Sequence, residues 1–232
     1  MSAERVKFGI KGLDDMLGGG LIPNSICVII GTYGTGKTTF SLNFIREGLE
    51  KNETVIYISL EESKARILTY IEQKGWRPED YLDKSLHIFK LDPTDFNLAN
   101  NRIKKELPGL IEELKATRVV IDPISLFEDL FTRDSERRQE MYRFAEGIRD
   151  KRCTILITSE THRDNMFSSR HGLLEYLADT VILLRYVRPT DLTNVHLALE
   201  VVKMRLSSHS REIKPYDISQ EKIGVHSEAK VF

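Results

Sequence analysis

The eight residues GTYGTGKT at 31–38 constrain this chain more than any other stretch. They match G-x-x-x-x-G-K-[ST] and sit between an apolar run, ICVIIG (26–31), and a helix-patterned one, KTTFSLNFIREGLE (37–50). Glycines let the backbone fold around an anion with its N–H groups pointing inward, and the following helix adds its positive N-terminal end. A plain glycine turn between a strand and a helix is the competing explanation, but the flanking strand and helix are the context that a phosphate cradle requires. The candidate nucleotide ligands are therefore Gly31, Thr32, Tyr33, Gly34, Thr35, Gly36, Lys37 and Thr38, with Thr39 next in line. Lys37 is placed to reach the β and γ phosphates, and Thr38 to ligate Mg²⁺.

Further short apolar runs follow at 54–60 (TVIYISL), 85–91 (SLHIFKL), 118–122 (RVVID) and 153–159 (CTILITS). Their unbroken hydrophobicity predicts strands covered on both faces. Between them lie stretches with apolar residues at helical spacing, one of which Pro108 is expected to break or kink. Repeated βα units of this kind predict an α/β fold, a mainly parallel central sheet flanked by helices. After about residue 178 the pattern changes: DTVILLRYV and NVHLALEVVKMR, joined by RPTDLT, predict a C-terminal antiparallel hairpin extending the sheet, and KPYDIS with KIGVHS a smaller pair. No motif recurs, so residues 1–232 are read as one domain.

Composition narrows the class. With Lys+Arg 34 against Asp+Glu 35, the net charge of −1 gives no global attraction to nucleic acid, which is not expected as a partner although a local basic patch is not excluded. The arginines of RDSERRQEMYRF are interleaved with Glu136 and Glu140, which suits a solvated helix. Cys27 and Cys153 both fall in strand-like runs, where a thiol acts as a small hydrophobe; two cysteines make no disulfide framework and point to a reducing compartment. Neither a signal peptide nor an apolar run near the ~20 residues of a membrane span is visible. A cytoplasmic protein without membrane contact is expected.

Two acidic positions belong with the phosphate loop. Asp122 ends an apolar strand, where a carboxylate can support the metal, although many strands end in Asp as a turn or cap. Glu61 and Glu62 follow another strand; in a parallel sheet the carboxyl ends of strands form the ligand crevice, which puts the pair beside the loop. A carboxylate there would orient the water that attacks the γ-phosphate, and strand alternation would send the two to different places. The bland alternative is that both merely favour the positive start of the helix beginning near Ser63.

The segments GIKGLDDMLGGGLIPNS (9–25), GTYGTGKTTF (31–40), YISLEES (57–63) and VVKMRLSSHS (201–210) together resemble the KaiC family of RecA-like ATPases, from about Gly9 to about Gly224. KaiC itself carries two such domains and this chain one. The resemblance implies ATP as the nucleotide, Mg²⁺ as its metal and a homo-oligomeric ring, a hexamer, with ATP at subunit interfaces. It makes Glu61 and Glu62 catalytic and sends Lys203 and Arg205 to the neighbour's γ-phosphate. It also places Met204, Ser207 and His209 at the nucleotide. Without the resemblance, Lys203 and Arg205 read as a charged edge strand that discourages aggregation.

The chain departs from the family in two places. The family pattern K-L-R-G-[TS]-S-H reads K-M-R-L-S-S-H here, so Leu206 stands where glycine is usual and the turn presenting Ser207 and His209 is expected to differ. The Ser-Thr pair of the autokinase domain is replaced by Glu175 and Tyr176, which leaves KaiC-style autophosphorylation unsupported; Ser168 and Ser169 read as polar loop. TSETH (158–162) resembles the family's polar sensing segment, or is a simple strand-to-loop transition. Two other functions stay open: a DNA-binding RecA-type paralogue, and an ATP-sensing scaffold with incidental turnover. A protein partner is unidentified.

Overall fold

The computed structural model describes residues 4–92, 101–188, 195–219 and 222–229. Strands β1 (Ile26–Gly31), β2 (Val55–Ser59), β3 (Leu86–Lys90), β4 (Arg118–Asp122), β5 (Thr154–Ser159) and β6 (Thr180–Val187) run parallel in the order β3–β2–β4–β5–β1–β6. Side-chain alternation divides them cleanly between two layers. Ile26, Val28, Ile30, Ile56, Ile58, Val119, Ile121, Ile155 and Ile157 face one apolar cluster, whereas Cys27, Ile29, Val55, Tyr57, Val120 and Leu156 face the other. A one-residue slip would exchange the layers, and each fully buried aliphatic side chain is worth about 2 kcal/mol, so the register is firmly set. Burial raises both cysteine thiols, Cys153 to about 12, so neither is reactive.

Helices α1 (Lys11–Met16), α2 (Lys37–Glu50) and α3 (Lys64–Gln73) cover one face through Leu13, Phe40, Phe44, Ile67 and Ile71. Ser63 caps α3, its hydroxyl accepting Arg66 N at 3.2 Å. The other face carries a π-helical turn (Arg102–Glu106), α4 (Leu107–Glu113), α5 (Ser125–Glu128), α6 (Asp134–Arg149) and α7 (Leu174–Leu177). The break expected at Pro108 falls where the wide turn gives way to α4, whose first turn tolerates a residue without an N–H. Strands β7 (His196–Met204), β8 (Lys214–Ile218) and β9 (Ile223–Val225) continue the sheet antiparallel beyond β6, as the C-terminal pattern predicted, while most of the RPTDLT turn lies outside the described residues. Between β6 and β7 the register shifts so that Val202 is the extra residue of a bulge.

One expectation needs correction. The arginine-rich helix is α6, and it is solvated on its outer face only: Glu136, Arg138 and Arg143 are exposed, whereas Arg137 and Glu140 are each 8% exposed. Arg137 donates to the carbonyls of Glu128 and Phe131 and to Asp134, while Glu140 pairs with Lys104 and Arg143. These charges hold the layer together rather than face a partner.

The N-terminal residues are tied in by a buried cation. Arg118, 1% exposed, forks onto both Glu53 oxygens at 2.7 and 2.9 Å and donates to the carbonyls of Lys7 and Phe44 at 2.6 and 2.9 Å. We expect Arg118→Ala to lower unfolding free energy by about 3 kcal/mol, because it leaves a carboxylate and two carbonyls without their donor; urea denaturation measures this. Asp14 accepts the N–H groups of Phe8 and Gly9 at 2.8 and 3.1 Å, yet burial raises it from 3.8 to about 6 despite those bonds. Its native form therefore holds a proton that the unfolded chain has released, so this contribution is complete below pH 3.8 and is lost as pH rises through about 6. Asp14→Asn should flatten that slope in melts taken between pH 4 and 7, a range bracketing the same shift.

Candidate nucleotide site

The carboxyl ends of β1, β2, β4 and β5 converge, with Ser59 level with Asp122 and Ile30 level with Ser159. Here a cleft of about 540 Å³ opens, lined by Lys37, Thr38, Glu61, Glu62, Asp122 and Glu160 among others. That volume suits a nucleotide-sized ligand.

The phosphate loop is braced from within and from β8. Thr35 Oγ1 donates to Thr32 O at 2.7 Å, and the Tyr216 hydroxyl donates to Thr35 O at 2.6 Å. Gly36 has φ 87, and a Cβ there would lie 2.2 Å from Ile218 Cδ1. The positive φ is what favours glycine here, and a larger residue would also displace the end of the Ile218 side chain. Lys37 Nζ donates to the carbonyls of Gly31 and Thr32 at 2.8 and 3.1 Å, holding its charge over the loop. Burial lowers its pKa, and the charges of Asp122, Glu160 and Glu61 oppose that shift. Tyr33 projects into solvent at the mouth, and Thr39 lies on the cleft wall.

Asp122 is held by three hydroxyls. Thr38 and Tyr57 donate to Oδ2 at 2.8 and 2.6 Å, and Thr158 donates to Oδ1. Burial first, and the Asp122 charge second, push the Tyr57 phenol well above its ordinary range, so it stays a donor. A hydroxyl and a carboxylate side by side at the phosphate end are the hard oxygen donors that Mg²⁺ uses, its remaining positions being filled by phosphate and water. The residues fit such a metal.

The paired glutamates lie past β2, in the turn before α3, so strand alternation does not separate them. Their bonding does. Glu61 is exposed at the cleft, whereas Glu62 accepts Tyr70 OH at 3.2 Å and pairs with Arg66 at 3.1 Å. Arg66 in turn donates to Tyr70 OH at 2.9 Å.

Lys203 and Arg205 lie elsewhere. Lys203 Nζ donates to the carbonyls of Glu175 and Ala178 at 2.8 and 2.7 Å, and burial lowers its pKa. Arg205 donates to Tyr176 O at 2.8 Å and pairs with Asp179 at 3.3 Å. Register puts Lys203 level with Val28, and Arg205 level with the start of β1, so Arg205 lies about 17 Å along the strand from Gly31 and two strand spacings to the side. Met204 is 6% exposed and packs in the core, turned away from both cations. Leu206 takes φ 59 after all: the turn keeps the left-handed backbone, and its side chain is left 96% exposed. Ser207 accepts Arg5 at 2.8 Å, and neither ring nitrogen of His209 meets a partner among the described residues. Ser169 bonds Glu175 at 2.7 Å and Ser168 bonds Asn165 O at 3.4 Å, both inside the loop.

Sequence reasoning missed Tyr57, Tyr70 and Tyr216. Their hydroxyls are hidden within apolar runs or come from elements far along the chain. Thr158 was within reach, because it opens the polar TSETH segment.

A glycine phosphate loop, a Thr–Asp pair at its foot and a parallel sheet of this strand order define a P-loop nucleotide-binding domain. The family model described as ATPase: KaiC matches residues 6–230, and the chain belongs to that family of RecA-like ATPases. The circadian clock oscillator protein KaiC of Prochlorococcus marinus (strain MIT 9313) is 29% identical over 237 residues, covering 97% of this chain and 46% of that protein. The chain thus spans about half the length of such relatives. UPF0273 protein MK0039 of Methanopyrus kandleri is 30% identical over 260 residues, covering 100% of this chain and 95% of that one. The crystal structure of KaiC-like protein PH0186 from Pyrococcus horikoshii OT3 superposes with a TM-score of 0.84 at 25% identity, over 97% of this chain and 99% of that one. Membership supports ATP binding. Lys37→Ala should weaken ATP binding at least about 100-fold, read by fluorescent-nucleotide titration, since a half-buried cation bonded over the cradle is lost.

Proposed function

We propose that this chain, acting as one ATPase domain, hydrolyses ATP slowly and with Mg²⁺ at interfaces between copies of itself in a ring, a hexamer on the KaiC pattern. The observation that carries this reading is that Arg205 lies at the end of the sheet remote from its own phosphate loop, while Lys203, level with Val28, is turned onto the carbonyls of Glu175 and Ala178. Neither side chain reaches the nucleotide of its own subunit. A neighbour's nucleotide is the target that gives both a role.

The loop N–H groups and Lys37 bind the phosphates, and Thr38 with Asp122 would hold Mg²⁺, which supplies charge neutralisation among three surrounding carboxylates. Glu61, free at the cleft, orients the attacking water and takes its proton. As the water oxygen bonds to the γ-phosphorus, the bond to the ADP oxygen breaks, and inorganic phosphate leaves. Glu62, fixed by Arg66 and Tyr70, shapes the turn and adds negative field. Arg205 and Lys203 from the adjacent copy stabilise the transferring phosphoryl group, which makes turnover depend on assembly. Among the described residues no helix is long and apolar enough to cross a membrane.

Glu61→Gln should retain ATP binding and assembly while cutting kcat about 100-fold, with Glu62→Gln much milder. Arg205→Ala should also be slow, and mixing it with Lys37→Ala should restore phosphate release at interfaces that join an intact loop to an intact cation. A particle that stays monomeric in light scattering with Mg·ATP would falsify the assembly.

A further inference from the structure

The glycine run Gly18–Gly20 and the N-terminal residues contribute nothing to the nucleotide cleft, yet they form the bed on which the loop after Arg205 rests. Arg5 Nη2 donates to Ser207 Oγ at 2.8 Å, and its Nη1 donates to Gly20 O at 3.4 Å. One guanidinium thus bridges the glycine turn and the loop. Ser210 N donates to Met16 O at 2.8 Å, fixing the loop's far end to the residue that closes α1.

The bed is rigid for reasons visible in the sequence. Val6 and Leu21 exchange backbone bonds of 2.9 and 2.8 Å, a two-bond antiparallel clasp. Gly20 has φ 126, and a Cβ there would lie 2.7 Å from Val6 O, so a larger residue would force the clasp apart. Beyond Val6 the strap is pinned by Asp14, which accepts Phe8 N and Gly9 N, and by Arg118, which donates to Lys7 O. The loop above has little to hold itself. Leu206 keeps a left-handed backbone, which costs about 1 kcal/mol for a residue with a Cβ, and buries almost none of its side chain.

We propose that Arg5 is a positioning residue: through Ser207 it fixes the loop that follows Arg205, and so holds that exposed cation toward the neighbouring subunit's nucleotide. This rests on the assembly proposed above. Arg5 touches no nucleotide of its own subunit; its effect passes through the loop, and it belongs to the subunit that donates the cations. A charge-assisted hydrogen bond of this kind is worth about a tenfold effect when removed. Lysine, with a single compact charge, would recover the bond to Ser207 without the bridge to Gly20.

The test uses the full chain with Arg5→Ala and Arg5→Lys, scoring ATP affinity, kcat and thermal midpoint. We expect Arg5→Ala to bind ATP as tightly as the parent and melt at the same temperature, but to turn over about tenfold more slowly. Arg5→Lys should fall between. Mixing Arg5→Ala with Lys37→Ala should restore turnover, because the second copy lends an intact loop to the first copy's intact cradle. The same mixture made with Arg205→Ala in place of Arg5→Ala is run alongside. If that companion mixture shows no rescue, the shared-interface reading has failed and the role of Arg5 goes with it. If the companion is rescued but the Arg5→Ala mixture is not, or if Arg5→Ala turns over like the parent, the positioning role alone is overturned.

Discussion

The carboxylate of Asp122 gathers four separate segments at one point, and the site depends on that knot. Tyr57 comes from β2, Asp122 from β4, Thr158 from β5 and Thr38 from the start of α2. Because β5 lies between β4 and β1, the bond from Thr38 to Asp122 spans an intervening strand, and that strand supplies the hydroxyl for the other oxygen. A shift of any one of the four would leave a nearly buried charge short of donors, which is costly in a medium poorer than water. The chemistry thus inherits its precision from strand order, and strand order is fixed by the two apolar layers.

What the sequence disclosed follows from how local each cause is. Strands β1, β2, β4 and β5 were legible because both faces are covered, so their apolar runs are unbroken, and the phosphate loop because its glycines answer to the shape of their own turn. The reading of α6 holds for Glu136, Arg138 and Arg143 but not for Arg137 and Glu140, because interleaved charges look the same whether they face water or meet carbonyls and lysine from other segments. Leu206 shows the opposite error: a glycine-type backbone was thought to need glycine, yet bonds from outside the turn hold the larger residue there. That Glu61 and Glu62 would part was expected from strand alternation, but the cause was illegible, since it is an arginine and a tyrosine one and two turns along α3 that hold Glu62.

The sheet has two chemically unlike ends. At the carboxyl end of the parallel strands an anion cradle is ringed by carboxylates; at the opposite end two cations rest against Glu175, Tyr176, Ala178 and Asp179. Asp179 also accepts Ile26 N at 3.0 Å and Arg149 at 3.1 Å, so the cation end is anchored to the first residue of the strand that carries the cradle at its last. The two ends of the sheet are thus opposite in charge as well as in position.

Lys203 shows what this arrangement means for switching. Its ammonium is already satisfied by two carbonyl oxygens, so on the proposed shared interface its move to a phosphate would be an exchange of ligands rather than the capture of a bare charge. Such exchanges are nearly balanced, and a small rearrangement of the short helix bearing those oxygens tips them either way. On that proposal the ammonium is a latch with two seats, of which the structure shows one.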